Sequence, residues 1–465
     1  MRPGKRTAAV LAALLLAAAG AAEAVEISAG SIVPFGENSI TVYSDETGTL
    51  TLTPGMSGLP LMPAAEDMPV EAGENTLVWD GLSWNGEPLP QGKITLTANV
   101  TDEDGNVSGA EIKVRVEKPL CAAVYCLPAA DRFCPSSGES LKVECGLSKK
   151  GTVILEIAAA DEPDKVIRTI KEKADVALPA QCKWDGKNKS KKRVKPGRYL
   201  LTAYSKAVPE IKQTAEVTVT EEPDEVPDIF VTGDLLPGDP DNDQEVWEAL
   251  MAPVVVGDGT EGSGLYIHKK KTYSPAGSIS CRTAGVKVLE INDDGWCRVG
   301  AWRQAIGEYI EGYIHRSKLT VVVPRSKYGA VIDKKEQTLT VYEDGKRIGK
   351  ISVSTGLLNS ENLLAATPAG VYLTGSRLKD FQNSGYHYDY PIRLHGDYLL
   401  HTVGYKTKDS ERSYLKELEE LGRPASHGCV RMDIRAAEES GGLNAWWIWT
   451  HFGRDTKVIV LDDQE

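Results

Sequence analysis

The most specific pattern in this chain is the segment Ser426-His427-Gly428-Cys429-Val430-Arg431-Met432. It places a cysteine two residues after a histidine, with a glycine between them. A thiol needs a base to become a good nucleophile at neutral pH, and an imidazole is the usual one. Gly428 permits a tight turn, which can direct backbone N–H groups toward one point as an oxyanion site requires. The segment therefore predicts nucleophilic chemistry at Cys429.

A second histidine lies upstream of this segment, at the end of the apolar run Tyr398-Leu399-Leu400. This residue, His401, is the candidate base for the thiol. A turn at Gly396 followed by a strand would deliver its side chain to the site, and the spacing fits that arrangement. His395, which precedes Gly396, is the alternative base, and the sequence leaves it open.

Length and charge limit the kinds of protein that this chain can be. Its 465 residues are too many for one ordinary hydrophobic core, so we expect three or four domains. It carries 53 Lys and Arg residues against 66 Asp and Glu residues, a net charge of -13. An acidic protein is repelled by phosphate, so this balance argues against a nucleic acid or an anionic membrane as its partner.

The first 24 residues have the pattern of a signal peptide. Basic residues within 2–6 precede the apolar run 8–22. That run is too short for a comfortable membrane span, and Ala22-Glu23-Ala24 fits a signal peptidase site. We therefore predict cleavage after Ala24 and a location outside the cytoplasm, with an uncleaved anchor as the alternative. No later run predicts a transmembrane helix.

Export changes how the eight cysteines are interpreted, because thiols tend to pair in an oxidising compartment. Cys281 and Cys297 are a candidate bridge between two strands of one small barrel. A second group is odd in number, so its pairing is incomplete and its connectivity stays open. Its members are Cys121, Cys126, Cys134, Cys145 and Cys182. Cys429 stands apart from both groups, as a reactive thiol would.

Two regions of about 100 residues repeat one motif. Trp79-Asp80-Gly81 recurs 105 residues later as Trp184-Asp185-Gly186, and each copy precedes a Pro- and Gly-containing turn and a strand. Short alternating runs between Gly, Pro and Asp predict antiparallel β-sandwiches over 25–118 and 119–220. The W-D-G series resembles the Ig-like domain of flagellar hook-cap proteins, which also occurs as a spacer in exported bacterial proteins. The resemblance implies spacers or surface-contact modules without chemistry.

The middle of the chain is predicted to contain a linker and a small barrel. Residues 221–250 are acidic and rich in proline, so we expect an extended, mobile linker there. Over 251–324, the series Gly285-Val286-Lys287-Val288, Gly295-Trp296 and Gly312-Tyr313-Ile314 resembles a bacterial Src homology 3-like barrel. Such barrels often accompany enzymes of the cell wall and bind its peptides. Trp296 and Tyr313 are equally good candidates for the core of the barrel.

The last domain is predicted over 327–463 as mostly β with short helices. Its strand motifs are Leu339-Thr340-Val341-Tyr342, Ser354-Thr355-Gly356 and Thr367-Pro368-Ala369-Gly370. Asp409 or Ser410 is expected to cap a helix that ends near Gly422. The predicted fold class is therefore mostly β and multidomain, with two Ig-like β-sandwiches, a small barrel and this C-terminal domain.

The strand motifs, followed by Leu400-His401 and the segment 426–431, resemble the YkuD-type L,D-transpeptidase catalytic domain. The resemblance implies cysteine acyl transfer between two peptidoglycan stem peptides, a donor and an acceptor, without a cofactor. Cys429 would attack the carbonyl of the third residue of a donor tetrapeptide, release the terminal D-alanine and form a thioester. The side-chain amine of an acceptor stem would then resolve it as a 3→3 cross-link. The corresponding location is the cell wall or a periplasm-like envelope space.

The resemblance also implies roles for the residues around the thiol. His401 would move the protons, and the backbone carbonyl of Thr402 would hold its tautomer. Backbone N–H groups within 427–429, supported by Ser426, are the expected oxyanion donors. Arg431 would orient the loop or meet a substrate carboxylate, and a structural ion pair is the equal alternative.

Several alternatives remain. The same fold would act as an L,D-carboxypeptidase, or as another cysteine-dependent wall hydrolase, if water took the acyl group. The chain would be a non-catalytic wall-binding protein if nothing depended on Cys429. A zinc site of His401, His427 and Cys429 lacks a fourth ligand and the usual spacing, so no metal is expected. Three tyrosines upstream of His401 either line the cleft or fill the core: Tyr386, Tyr388 and Tyr390.

Overall fold

The computed structural model describes residues 25–56, 59–176, 178–303, 307–357, 366–436 and 438–461. The predicted signal peptide, residues 1–24, lies outside the described residues. Strands make up 51% and helices 7% of the residues that the structure describes, in multiple sheets, so the prediction of a mostly β, multidomain protein is confirmed. None of the helices in the described ranges is both long and apolar enough to cross a membrane.

The first region folds into two sheets. Its strands are β1 (Val25–Ala29), β2 (Asn38–Ser44), β3 (Gly48–Met56), β4 (Leu59–Pro60), β5 (Ala65–Val70), β6 (Gly73–Trp79), β7 (Gly92–Asp102) and β8 (Val107–Val116). One sheet has the order β1-β2-β6, and the other has the order β4-β3-β7-β8, with β5 also paired to β3. Buried residues recur at every second position of β2, β3 and β7, because one face of each strand packs into the core.

The second region has a similar pair of sheets. Its strands are β9 (Ala123–Pro128), β10 (Arg132–Phe133), β11 (Leu141–Leu147), β12 (Gly151–Ala159), β13 (Val166–Ala174), β14 (Ala180–Trp184), β15 (Gly197–Ser205) and β16 (Lys212–Val219), with a 3-10 helix at Pro135–Ser137. The sheets have the orders β14-β11-β9 and β10-β16-β15-β12-β13. Each region thus pairs a three-stranded sheet with a larger one.

The repeated tryptophan motif forms the same local turn in both regions. The indole N–H of Trp79 donates to the carbonyl of Leu82 at 2.9 Å, and that of Trp184 donates to the carbonyl of Lys187 at 3.1 Å. Both tryptophans are buried. The sequence repeat is therefore also a structural repeat, while the assignment of both regions as Ig-like domains stays a prediction.

A short helix and a small β unit follow. Their elements are α1 (Asp243–Met251), β17 (Val254–Gly257), β18 (Gly264–Lys270), β19 (Thr272–Ser280), β20 (Lys287–Ile291), β21 (Trp296–Trp302), β22 (Tyr309–His315), a 3-10 helix at Arg316–Lys318, and β23 (Leu319–Val322). One sheet has the order β19-β18-β22-β21-β20, and β17 pairs with β23. All eight cysteines of the protein are free thiols, so the candidate bridge between Cys281 and Cys297 is not formed.

The expectation of an extended, mobile linker over 221–250 is wrong for its C-terminal end, where residues 243–250 belong to α1. The side chain of Asn242 caps this helix by accepting hydrogen bonds from two N–H groups of its first turn. Val246 and Leu250 pack into a hydrophobic cluster with strand residues of the C-terminal domain. The helix forms because it can bury this apolar face, which a composition-based prediction of a linker does not consider.

The C-terminal domain is built on an eight-stranded, nearly closed sheet. Its elements are β24 (Tyr328–Asp333), β25 (Thr338–Glu343), β26 (Lys346–Ser354), β27 (Gly370–Leu373), β28 (Phe381–Asn383), β29 (Tyr386–Tyr388), β30 (Ile392–His395), β31 (Tyr398–Thr402), β32 (Lys406–Lys408), β33 (Glu411–Ser413), α2 (Leu415–Leu418), β34 (Val430–Met432), a 3-10 helix at Glu438–Ser440, α3 (Ala445–His451) and β35 (Lys457–Leu461). The sheet order is β27-β35-β24-β25-β26-β34-β31-β30. The pairs β24–β35 and β31–β34 are parallel.

The helix expected after Asp409 or Ser410 begins later than predicted. Both residues lie in the turn between β32 and β33, with φ values of 51° and 68°. Asp and Ser favour such turns as much as they favour helix caps, so the prediction chose the wrong one of two local structures. The helix is the short α2, which begins at Leu415 without a side-chain cap.

The first region packs directly on the C-terminal domain. Val403, Tyr405 and Tyr414 of the C-terminal domain belong to the same buried cluster as Leu89 and Ile94 of the first region. The first region is therefore not a spacer that stands clear of the rest of the chain. This contact positions one edge of the C-terminal domain, close to the strand that carries His401.

Candidate functional site

Two parallel strands bring the predicted site residues together. Strands β31 and β34 pair so that His401 lies opposite Arg431. Cys429 precedes the first residue of β34, and its Sγ accepts a hydrogen bond from the N–H of Leu399 at 3.4 Å. Parallel strands of a sheet buried on both faces have continuous apolar sequences, which explains the run Tyr398-Leu399-Leu400 before His401.

The loop before Cys429 is fixed by hydrogen bonds that involve two other segments. Ser426 and Ala425 both donate their N–H groups to the carbonyl of Thr355 at 3.0 Å. The hydroxyl of Thr367 accepts from the N–H of Gly356 at 2.8 Å and donates to the carbonyl of Gly428 at 2.9 Å. The S-T-G and T-P-A-G motifs therefore support the S-H-G-C loop, a role that the sequence reasoning did not assign to them.

Gly428 has a backbone conformation and a position that exclude other residues. Its φ is +108°, in the left-handed region that favours glycine. A Cβ at this position would lie 2.4 Å from the ring of Tyr398. The N–H of Gly428 donates to the hydroxyl of Ser426 at 3.2 Å, and the same hydroxyl donates to the carbonyl of Cys429. This engagement makes Gly428 the weakest of the three expected oxyanion donors and gives Ser426 a role in shaping the loop.

His401 is buried and held in one tautomer. Its Nδ1 lies 2.7 Å from the backbone carbonyl oxygen of Thr402. Because a carbonyl oxygen can only accept, Nδ1 carries the proton and Nε2 keeps its lone pair. The rings of Phe381 and Tyr388 pack edge-on against the imidazole, with centroids 5.3 Å and 4.8 Å away. Nε2 is therefore the nitrogen that can accept a proton.

The ionisation equilibria of the pair favour neutral forms. Burial lowers the pKa of His401 to about 4, an effect that the carbonyl of Thr402 opposes and the positive charge of Arg431 reinforces. Burial also raises the pKa of the Cys429 thiol, against the effects of the Leu399 N–H and of Arg431. At neutral pH the resting site thus holds a thiol and a neutral imidazole.

Arg431 takes part in a buried ion-pair network. Its guanidinium contacts the carboxylates of Glu417, at 3.4 Å, and of Glu420. Glu417 also accepts a hydrogen bond from the hydroxyl of Tyr388 at 2.9 Å. These contacts favour the structural ion pair among the roles considered for Arg431, and they hold Tyr388 against His401. Direct binding of a substrate carboxylate by Arg431 stays a prediction.

The other two histidines considered for the site, His427 and His395, occupy different environments. His427 is exposed at the loop, so its backbone is better placed than its ring to contribute to the fixed part of the site. His395 lies at the end of β30, is 1% exposed, and packs 5.3 Å from the ring of Tyr372. No group of three His, Cys, Asp or Glu side chains is placed to hold a metal ion in the part of the chain that the structure describes.

Sequence reasoning missed the residues that hold Thr402. The N–H of Asp389 donates to the Thr402 hydroxyl at 3.0 Å, and the N–H of Thr402 donates to the Asp389 carbonyl at 3.1 Å. The carboxylate of Asp389 is held in turn by Arg412 at 2.6 Å. No local pattern could have identified this pairing, because it joins segments that meet only in the folded sheet. Among the three tyrosines singled out above, Tyr388 lies against His401.

Comparison with known proteins identifies the C-terminal domain. The family described as the L,D-transpeptidase catalytic domain, YkuD, matches residues 327–460. A curated protein of Bacillus subtilis (strain 168), "Putative L,D-transpeptidase YciB", is 31% identical over 134 residues, which cover 28% of this chain and 63% of that protein. The chain thus spans less than two thirds of the length of that relative.

Two solved structures are similar over part of the chain. An L,D-transpeptidase (residues 123-326) from Xylanimonas cellulosilytica DSM 15894 is 24% identical, covers 30% of this chain and 63% of that one, and has a TM-score of 0.21. An L,D-transpeptidase from Mycobacterium tuberculosis H37Rv is 17% identical, covers 49% of this chain and 87% of that one, and has a TM-score of 0.23. TM-scores this low carry no argument about domain arrangement. Residues 327–460 are nevertheless assigned to the L,D-transpeptidase catalytic domain by the family match.

Proposed function

Starting from the L,D-transpeptidase catalytic domain at residues 327–460, we propose that the protein is an exported enzyme that forms 3→3 cross-links between peptidoglycan stem peptides. The observation that carries the proposal is the pairing of β31 with β34, which places the strand of His401 beside the loop of Cys429. A partly exposed thiol on one of these segments and a buried imidazole of fixed tautomer on the other are the two groups that cysteine acyl transfer requires.

In the acylation half of the proposed reaction, Nε2 of His401 takes the proton of the Cys429 thiol. The sulfur attacks the carbonyl carbon of the third residue of the donor tetrapeptide and forms a tetrahedral oxyanion. Collapse of this intermediate breaks the amide bond, and His401 returns its proton to the departing amine of D-alanine. The donor is left as a thioester on Cys429, in keeping with the role of a general acid–base residue beside a nucleophile.

In the second half, the side-chain amine of the third residue of an acceptor stem attacks the thioester. His401 accepts a proton from this amine and delivers it to the departing sulfur, which restores the thiol. The new amide is the 3→3 cross-link, and the net reaction exchanges D-alanine for the acceptor amine. Backbone N–H groups of 427–429 stabilise both oxyanions, with Gly428 the weakest donor because its N–H is bonded to Ser426. Removal of one fully engaged donor would cost roughly 3–4 kcal/mol in the transition state.

The remaining parts of the chain have supporting roles in this proposal. Residues 1–24 direct export to the cell wall or a periplasm-like space, and 25–118 and 119–220 are Ig-like domains. Residues 221–250 connect them to a Src homology 3-like barrel over 251–324, which contacts the wall, and the catalytic domain occupies 327–463. The N-terminal pattern and the repeated turns at Trp79 and Trp184 support these assignments.

The test is incubation of the mature protein with purified tetrapeptide muropeptides, followed by mass analysis of the products. Dimers with 3→3 links are the expected result. Tripeptides alone would instead identify an L,D-carboxypeptidase, and no turnover would favour a non-catalytic wall-binding protein. Cys429→Ala should abolish product, and His401→Ala should do nearly the same, while His395→Ala is the matched histidine control. Cross-linking that survives Cys429→Ala would show that the nucleophile is misassigned.

A further inference from the structure

A turn of the first region reaches the C-terminal domain beside α3. The amide of Asn85 donates to the side-chain oxygen of Asn444 at 2.9 Å. The ring of Trp84 lies so close to Gly442 that a Cβ there would be 2.4 Å from it. These contacts join residues more than 350 positions apart in the chain. We call this contact between the first region and the C-terminal domain the junction. Glu87 follows in the same turn and lies at the junction.

Glu87 directs both carboxyl oxygens at the C-terminal domain. One accepts a hydrogen bond from the hydroxyl of Tyr390 at 2.9 Å, and the other accepts from the side-chain amide of Asn444 at 2.9 Å. The charges of Asp389 and Arg412 also act on this carboxyl. A carboxyl group that leaves water needs such donors, and here the first region supplies the acceptor for two donors of the C-terminal domain.

The partner Tyr390 has an unfavourable backbone conformation. Its φ is +60°, which a bulky residue rarely adopts, so surrounding contacts must hold it there. Its ring packs against Trp446 and Trp449 at centroid distances of 5.3 Å and 5.4 Å. Its N–H donates to Asp380 at 3.2 Å. The hydrogen bond to Glu87 is the contact that fixes the far end of the side chain.

Tyr390 directly follows Asp389, which is hydrogen-bonded to the residue that holds the candidate base. Asp389 exchanges two hydrogen bonds with Thr402, as described above, and the carbonyl of Thr402 accepts the Nδ1 proton of His401. Asp389 adjoins Tyr390 in the chain, and its two hydrogen bonds help to hold the backbone of Thr402, which also pairs with Met432 across the sheet. A continuous series of contacts therefore runs from Glu87 to the imidazole of His401.

We propose that Glu87 is a positioning residue for His401, contributed by the first β region to the active site of the C-terminal domain. This inference rests on the proposed role of His401 as the base. Without the hydrogen bond from Tyr390, the segment around Asp389 relaxes, the Thr402 carbonyl turns, and His401 loses the preference for its Nδ1–H tautomer. The first region is then part of the catalytic apparatus and not only an attachment module.

The first measurement is the tautomer of His401, read by nitrogen NMR of the full-length protein labelled with ¹⁵N-histidine and assigned with His401→Ala. Wild type should show the Nδ1–H form. Glu87→Ala and Tyr390→Phe should each increase the Nε2–H fraction, whereas Glu103→Ala, on an exposed turn of the same region, should not. An unchanged tautomer in both junction variants would overturn the proposal, whatever happens to the rate.

The second measurement is turnover of tetrapeptide muropeptides by the same proteins. Loss of one hydrogen bond should lower kcat roughly 3- to 10-fold at constant KM. The double variant should be no slower than the slower single variant, because both changes remove one contact. Additive losses, or full activity of both single variants, would refute the inference.

The two proposals fail in different ways. If wild type forms no product but the tautomer still responds to Glu87→Ala, the function is wrong and the positioning role stands. If His401→Ala is inactive while Glu87→Ala and Tyr390→Phe keep both tautomer and rate, only the positioning role is wrong. Should Glu87→Ala fail to fold, as judged by thermal unfolding, Tyr390→Phe provides the same test, since it removes only a hydroxyl group.

Discussion

Cys429 should react with iodoacetamide at a rate that rises about tenfold for each pH unit between pH 6 and pH 8. Only the pH is varied. The expected dependence follows from the neutral forms of the Cys429 thiol and the His401 imidazole in the resting site. Burial raises the pKa of the Cys429 thiol, so the thiolate is the minor form between pH 6 and pH 8. Alkylation requires the thiolate and should follow its fraction.

The expected slope follows from the directions of the two pKa shifts. Burial lowers the pKa of His401 to about 4 and raises the pKa of the Cys429 thiol, so both shifts favour the neutral thiol and imidazole over a thiolate–imidazolium pair. Below the pKa of a thiol, the thiolate fraction rises about tenfold for each pH unit, and this fraction sets the slope of the alkylation rate.

Alkylation is quenched at a series of times at each pH, and the alkylated fraction is measured by mass spectrometry of the intact protein. The seven other cysteines are buried, so Cys429 is the site expected to react first. His401→Ala should leave the slope with pH unchanged, because a neutral imidazole does not create the resting thiolate. A rate that is constant between pH 6 and pH 8, and becomes pH-dependent in His401→Ala, would refute the neutral pair and indicate a preformed thiolate–imidazolium pair.

Three further predictions concern the supporting structure. Gly428→Ala should reduce turnover at least about 100-fold, because the added methyl group meets the ring of Tyr398 and the backbone conformation becomes strained, and this is measured with tetrapeptide substrate. Thr367→Val should lower the free energy of unfolding by about 1–3 kcal/mol in denaturant titrations, since the partly buried N–H of Gly356 and the buried carbonyl of Gly428 lose their partner. Burial raises the pKa of Glu87 from 4.5 to about 7, so its contribution to stability is greatest below pH 4.5 and is lost as pH rises to 7, by at most about 3 kcal/mol. The midpoint temperature of thermal unfolding should therefore fall between pH 4.5 and pH 7 more in wild type than in Glu87→Gln. If the midpoint temperatures of the two proteins change with pH in parallel, the prediction is contradicted.

The sequence predicted the character of the fold well where structure is local. Period-two patterning located the strands around Leu339-Thr340-Val341-Tyr342, and the repeated tryptophan motif marked equivalent turns 105 residues apart. It failed where one segment can satisfy two local rules. Asp409 and Ser410 suit a hairpin turn as well as a helix cap, and the acidic residues before α1 conceal an apolar helix face that only a neighbouring sheet makes useful.

The sequence by itself determined the chemical groups of the site: a thiol, an upstream imidazole and a glycine that permits a tight turn. Those features depend on residue type and on short spacings, which the chain carries in any context. Only the tertiary structure decided the ionisation of the pair, because burial sets pKa values and burial is a property of the packed sheet. It also decided that Arg431 is paired with two glutamates and that Glu87, 303 residues from Tyr390, lies at the same junction. Contacts of such sequence separation leave no local pattern, since each partner is free to be any residue until the fold brings the two together.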